Sequence, residues 1–154
     1  MKNLKHSMST KNYSLPLLLG NFFTEEGGRL STCSLLESID HHLELLLTTC
    51  PGEHYFNKQY GTMIWDLDFE RVASRSKWEE SFTSFIYKAT VENEKRIVNV
   101  AVSIKLREVV REEGLSKTVA VRQRVDIYVL GRLLLTGEKC GFNYTLYLGP
   151  LSNE

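Results

Sequence analysis

The residues that could do chemistry are carboxylates at Glu37, Glu44, Glu53, Asp66, Asp68, Glu70, Glu79 and Glu80, histidines at His41, His42 and His54, and Cys50. Glycoside cleavage needs two carboxylates about 5–9.5 Å apart, one with a raised pKa. Most of these acids fall on helical faces or beside basic residues, where solvated charge is the expected role. Asp66 and Asp68 flank Leu67 without a catalytic setting, and a supply of acids does not make a cleft. Adjacent helical residues point about 100° apart, so His41 and His42 cannot easily share one metal even with His54 as third ligand. Cys50 follows a helix end, whose dipole raises a thiol pKa rather than activating it. The chain has no GxGxxG, P-loop, HExxH or nucleophile elbow. The expectation is no catalytic residue, no metal and no cofactor, hence no enzyme.

The elements that would position these residues are two helices followed by strands. Ser34 and Glu37 have capping-box spacing, and Leu35, Ile39, Leu43 and Leu46 follow on one stripe until Pro51-Gly52 ends the helix. Residues Pro51 to Thr62 read as an ordered loop, and Met63 to Glu70 as a short helical or irregular piece. A second helix spans about Arg75 to Val91, with Ser76 and Glu79 as its capping box. Trp78, Phe82, Phe85, Ile86 and Ala89 line one face, read as core rather than a cofactor box. The period then changes to two. Ile97 to Leu106, Val119 to Leu130 and Phe142 to Leu148 alternate as half-buried strands. Arg107 to Thr118, with Glu112-Glu113-Gly114, reads as a long hairpin loop, and Leu133-Leu134-Leu135 as a further short strand before the Thr136-Gly137 turn. Helices segregated from strands indicate an α+β fold, two main helices packed on a small, largely antiparallel sheet.

Upstream, residues 1–14 read as a flexible arm rich in Lys, Asn, Ser and Thr, and residues 15–154 as a single α+β domain. Leu15 to Phe23, broken by Pro16 and Gly20, reads as a short strand or an extended segment packed on the core. Thr24 to Arg29 is a double-glycine turn. With 42% hydrophobic and 25% charged residues the composition is that of a folded globular protein. Nineteen basic residues balance nineteen acidic ones, so no net field favours nucleic acid or an anionic membrane. Three separated cysteines, Cys33, Cys50 and Cys140, argue against a disulfide framework and suit a reducing compartment. No apolar run approaches the roughly twenty residues that cross a bilayer, and none forms a signal h-region. The expected location is the cytoplasm, with no direct membrane insertion.

One stretch is more specific than composition. Ser38 to His54 carries a helix with a leucine-rich end that runs into Thr49-Cys50-Pro51-Gly52-Glu53, and Tyr60-Gly61 follows. Farther on, Glu94-Lys95-Arg96 precedes the first long strand. These segments resemble the baseplate-wedge family of contractile phage tails, in which Pro-Gly-Glu-Arg, a Tyr-Gly or Phe-Gly and Glu-Pro-Arg occupy the same places. The type VI secretion baseplate subunit TssE belongs to that family, whose members are often labelled lysozyme-like. The sequence departs from the pattern at His54, for the arginine, and at Lys95, for the proline.

The resemblance covers about Leu17 to Leu148 and implies an assembly role. The implied partners are the other baseplate wedge subunits and the contractile sheath protein, reached from a bacterial cytoplasmic baseplate docked at a membrane. The alternating strands would offer a template on which the sheath starts, since strand addition uses backbone hydrogen bonds. The implied partner-binding residues are Gly52, Glu53, Tyr60, Gly61, Glu94 and Arg96. For Glu94 and Arg96 the other reading is a local ion pair, worth about 0–1 kcal/mol if exposed. Gly52 and Gly61 would serve backbone turns, and Glu53 would cap its loop. A peptidoglycan-cleaving enzyme and a free-standing regulatory binding module are the alternatives.

Overall fold

The computed structural model describes residues 11–23, 28–68, 74–113 and 118–149. The start of the arm, residues 24–27 of the double-glycine turn, Glu70, Gly114 and Pro150 lie outside them. The chain divides into two compact units, Met1–His42 and Leu43–Glu154.

In the first unit, strand β1 (Asn12–Tyr13) pairs antiparallel with β2 (Thr32–Cys33). Leu19–Phe23 forms a 3-10 helix, not the expected strand or core-packed segment. Leu17, Leu18 and Leu19 are exposed, and Phe23 is 89% exposed. Pro16 and Gly20 leave too few residues between them for a regular strand. Helix α1 (Leu35–Thr48) opens on the expected capping box. The Ser34 N–H donates to Glu37 Oε2 at 2.8 Å, and the Glu37 N–H donates to Ser34 Oγ at 3.2 Å. These bonds hold the Glu37 carboxyl below the usual carboxylate range.

The second unit begins with the leucine-rich end of α1, where Leu43, Leu46 and Leu47 are buried. A 3-10 helix, Met63–Asp68, follows the loop and buries Ile64 and Leu67. Trp65 Nε1 donates to the Leu47 carbonyl at 3.0 Å, tying this turn to the end of α1. Helix α2 (Arg75–Asn93) is capped by Ser74, not by Ser76. Ser74 is extended, and its Oγ accepts the Lys77 N–H at 3.3 Å, whereas Glu79 pairs with Arg75. Trp78, Phe82, Ile86 and Ala89 are buried as the spacing predicts, while Phe85 is half-buried and Thr90 takes the inner position. Trp78 stacks on Phe82 with centroids 4.7 Å apart. Complete burial of a ring such as Phe82 stabilises the fold by about 2–3 kcal/mol.

Three antiparallel strands complete this unit, β3 (Ile97–Glu113), β4 (Thr118–Leu133) and β5 (Lys139–Leu148), in the order β3-β4-β5. Among the described residues the architecture is α+β, two α-helices with antiparallel sheets of two and three strands. Register places Val102, Val129 and Phe142 in one row, Ile104, Ile127 and Tyr144 in the next, and Leu106, Val125 and Leu146 in a third. Val125, Ile127 and Val129 on the central strand are fully buried, so the period-two reading holds. A bulge between Val98 and Ala101 places Asn99 at φ 53°.

Two expectations fail here. Arg107 to Thr118 is not a long loop, because β3 and β4 stay paired from Arg107↔Arg124 to Glu113↔Thr118. β5 stops at Leu148, opposite Gln123, so from Val109↔Arg122 onward the pair is a two-stranded ribbon among the described residues. Backbone pairing builds it, and such pairing leaves no apolar alternation in the sequence. Leu133-Leu134-Leu135 is not a separate strand either. Leu133 closes β4 and is buried, while Leu134 and Leu135 enter a turn and are 58% and 85% exposed.

On the opposite sheet face, Asp126 is only 6% exposed. Its Oδ1 accepts from Arg124 Nε at 2.8 Å and from Thr145 Oγ1 at 2.9 Å, and Arg107 Nε lies 3.6 Å from Oδ2. Burial pushes this carboxyl up, but the two hydrogen bonds and both guanidinium charges outweigh it and leave the pKa below the ordinary aspartate value.

Candidate partner-binding site

Four of the six candidate residues lie on one loop, built at the end of α1. Thr48 and Thr49 turn their hydroxyls back to the Glu44 and Leu45 carbonyls, at 2.9 and 2.7 Å, so the last turn is satisfied by its own side chains. The chain then reverses. Glu53 Oε2 accepts the Cys50 N–H at 2.8 Å, and the Glu53 N–H returns to the Cys50 carbonyl at 3.2 Å. Glu53 therefore acts within the loop as its cap.

Gly52 has φ 96° and donates its N–H to the Lys58 carbonyl at 2.9 Å, closing the loop neck. Within the tip, His54 Nδ1 accepts the Asn57 N–H at 3.1 Å and the Asn57 carbonyl accepts the Tyr60 N–H at 3.1 Å. Gly61 has φ 116°, and any Cβ there would come within 2.9 Å of the Thr49 carbonyl carbon and nearer still to its oxygen. That close approach lets the Thr62 N–H reach the Thr49 carbonyl at 2.9 Å. Both glycines are thus required by backbone geometry, Gly61 for space as well as for φ.

Glu94 and Arg96 sit where α2 hands over to β3. Glu94 is the C-cap of α2, and its N–H donates to the Thr90 carbonyl at 2.8 Å. Its side chain is 2% exposed; Oε1 accepts from the Arg96 N–H and Nε, each at 2.9 Å, and Oε2 accepts from Nη2 at 2.5 Å. The pair is a fork, with Arg96 35% exposed. Lys95 donates Nζ to the Val91 carbonyl at 2.8 Å and so closes the last turn of α2.

The structure brings the loop and the junction together through Tyr60. Its phenol is pushed above the ordinary tyrosine range, first by burial and then by the Glu94 charge. Gly52 and Glu53 belong to the other end of the same loop. Tyr55 and Phe56 project from the tip, 79% and 89% exposed, with ring centroids 5.0 Å apart.

Several of the groups weighed for chemistry are engaged elsewhere. His41 Nδ1 accepts the Leu15 N–H at 3.3 Å, and His54 is used in the loop. Burial, then the Glu53 and Asp66 charges, raise the Cys50 pKa, the reverse of thiol activation. The three cysteines are free thiols. Among the described residues no group of three or more His, Cys, Asp or Glu could hold a metal, and no helix is long and apolar enough to cross a membrane. Sequence reading missed Asp126 and Thr62. Both stand at ordinary polar positions, and only the register and the loop fold reveal their burial.

These elements make an α+β domain in which a capped helix, a loop with two positive-φ glycines and a Glu-x-Arg junction precede a three-stranded antiparallel sheet. The family model of baseplate wedge protein gp25 matches residues 33–133, and the chain belongs to this family. A crystal structure from Geobacter sulfurreducens, provisionally described as a tail lysozyme, shares the fold. Its TM-score is 0.54 at 17% identity, over 80% of this chain and 100% of that one. A chain of the anti-feeding prophage baseplate, seen by cryo-electron microscopy, has a TM-score of 0.47 at 18% identity over 77% of this chain and 83% of its own. No curated protein matches the sequence.

Proposed function

We propose that the protein is a structural, non-catalytic baseplate subunit of a contractile injection machine, of the type VI secretion kind. It joins the wedge subunits and offers a sheet edge on which the contractile sheath is started. Membership of the wedge family over residues 33–133 is the observation that carries this reading.

The sheet topology narrows which strand could serve. β4 is hydrogen-bonded on both sides, so among the described residues β3 and β5 are the edges of this sheet. Along β3, Val102 to Ile104 border a groove shared with α2, whereas β5 has no strand on its outer side among the described residues. β5 is the template we favour, because an open ladder edge accepts another strand directly. Glu94 and Gly61 are buried and hold the α2–β3 handover and the loop in place, and we assign the outer end of Arg96, Tyr60 and the exposed Gly52-Glu53 turn to the wedge core. The balanced charge gives no pull toward nucleic acid.

An enzymatic reading draws no support from the carboxylates. Glu53 is committed to its own loop, and Glu37 and Asp126 are shifted down, opposite to a glycosidase general acid. Deletion of the gene tests the proposal. Sheath formation, scored by fluorescence microscopy, is expected to be lost and restored by the wild-type gene. Normal sheath numbers in the deletion strain would refute it, and peptidoglycan hydrolysis by purified protein that Glu53→Gln abolishes would replace it with an enzyme.

A further inference from the structure

A recess of about 330 Å³ lies between the 51–63 loop and the outer side of α2. Met63 borders it from the loop, and Phe85 and Ala89 from the helix, so part of its wall is apolar. Thr62 also lines it. That side chain is 1% exposed, and its hydroxyl has no hydrogen-bond partner among the described residues. A buried hydroxyl without a partner is uncommon and costly, because it gives up water for nothing.

The rim is charged. Lys58 and Lys88 border the recess from its two sides, against a single acid, Glu92. Lys58 Nζ touches the Gly52 carbonyl at 3.3 Å and lies 5.7 Å from the centre of the Tyr55 ring, contacts that orient the ammonium without neutralising it. Glu92 stands four residues after Lys88, yet the two form no ion pair among the described residues. The recess therefore keeps a positive rim above an apolar wall and an unused hydroxyl.

We infer that this recess binds an extended segment of a partner protein in which an apolar side chain neighbours a carboxylate. The apolar group packs on Met63, Phe85 and Ala89, the carboxylate meets Lys58 and Lys88, and the Thr62 hydroxyl, turned into the recess by a χ1 rotation, donates to a main-chain carbonyl of the segment. Charge complementarity and the orphan hydroxyl select this occupant over a purely apolar one. No β5 residue lines the recess among the described residues, so the inference goes beyond the strand-template role and survives its failure.

The test is a titration of isotopically labelled full-length protein with the peptide acetyl-Leu-Asp-Phe-Glu-amide, and in parallel with acetyl-Leu-Lys-Phe-Lys-amide, followed by amide chemical shifts. The acidic peptide is expected to give saturable shifts centred on Gly61, Thr62, Lys88 and Ala89, and the basic one none. The Lys58→Glu/Lys88→Glu variant should weaken binding at least about tenfold. Lys88→Met, which keeps the alkyl stem, should weaken it about threefold, and Thr62→Val by a similar factor. Equal shifts from both peptides, no saturable shift at these residues, or indifference to the lysine changes would overturn the proposal. Concentration-dependent shifts at the same residues without peptide would assign the recess to a second copy of this chain and overturn it too.

Discussion

Glu94 and Arg96, separated by one residue, face each other as a fork, with Oε1 2.9 Å from Nε and Oε2 2.5 Å from Nη2. The two ends of the fork are unequally buried, Glu94 at 2% exposure and Arg96 at 35%. Whatever partner meets this face, the pair has a structural role of its own, so its two truncations should differ.

Arg96→Ala takes the guanidinium from a buried carboxylate, which keeps the residue-96 N–H, and is expected to cost about 3 kcal/mol. Glu94→Gln removes the buried charge and leaves a guanidinium that water can reach, with an expected cost of about 1–2 kcal/mol. Urea unfolding of both variants at neutral pH checks the order. Equal costs would mean that desolvation of Glu94 is not the dominant effect.

The two loop glycines should separate as clearly. At Gly52 the φ of 96° is the sole obstacle, because an added Cβ meets nothing within 4 Å. Gly52→Ala is expected to cost about 1–2 kcal/mol. At Gly61 the positive φ is joined by the Thr49 backbone, which cannot move aside as a flexible side chain would. Gly61→Ala should cost about 3 kcal/mol or more, read as a lower midpoint in thermal melts.

Asp126 should give the unfolding curve an acid limb. Its folded pKa lies below the unfolded value, so its stabilisation is complete above the unfolded pKa, above about pH 5, and is lost as pH falls through the depressed folded value. The groups facing it are Arg124, Arg107 and Thr145, with Lys105 directly opposite in register. Asp126→Asn should lower the melting temperature at pH 7 and flatten its fall between about pH 5 and pH 2. A parallel fall in both proteins would show that other carboxylates set the acid limb.

Thr62→Val should not harm the isolated protein. The hydroxyl is buried without a partner, and valine has nearly the same shape. Chemical denaturation is expected to show a gain of up to about 1 kcal/mol. A loss would mean that the hydroxyl is hydrogen-bonded in solution.

Sequence patterning located what burial controls. The Ser34–Glu37 box, the Trp78-Phe82-Ile86-Ala89 stripe and the alternation at Val125, Ile127 and Val129 all appear where the residues indicate. Failures arose where backbone bonding decides alone. Beyond Leu106 the β3 arm carries Arg107 and Glu108 in place of apolar alternation, so that arm looked like a loop while the β4 arm from Val119 read as a strand. Ser74 and Ser76 are chemically equivalent candidates for the α2 cap, and only the extended backbone at Ser74 separates them. The motif glycines marked the loop because positive φ narrows the choice of residue. The recess stayed hidden, since Thr62 and Lys88 are brought together only by folding.

The loop from Cys50 to Thr62 is largely exposed, yet its amides at Cys50, Gly52, Glu53, Asn57, Tyr60 and Thr62 all donate to acceptors within the loop or at Thr49. Surface segments of this kind commonly exchange their amide hydrogens within seconds, and this one should exchange slowly, as a helix does. Slow exchange would mean that Tyr55 and Phe56 stand on a loop already ordered before any encounter. Docking through them should then proceed as a collision of preformed bodies, with an on-rate limited by orientation and not by rearrangement.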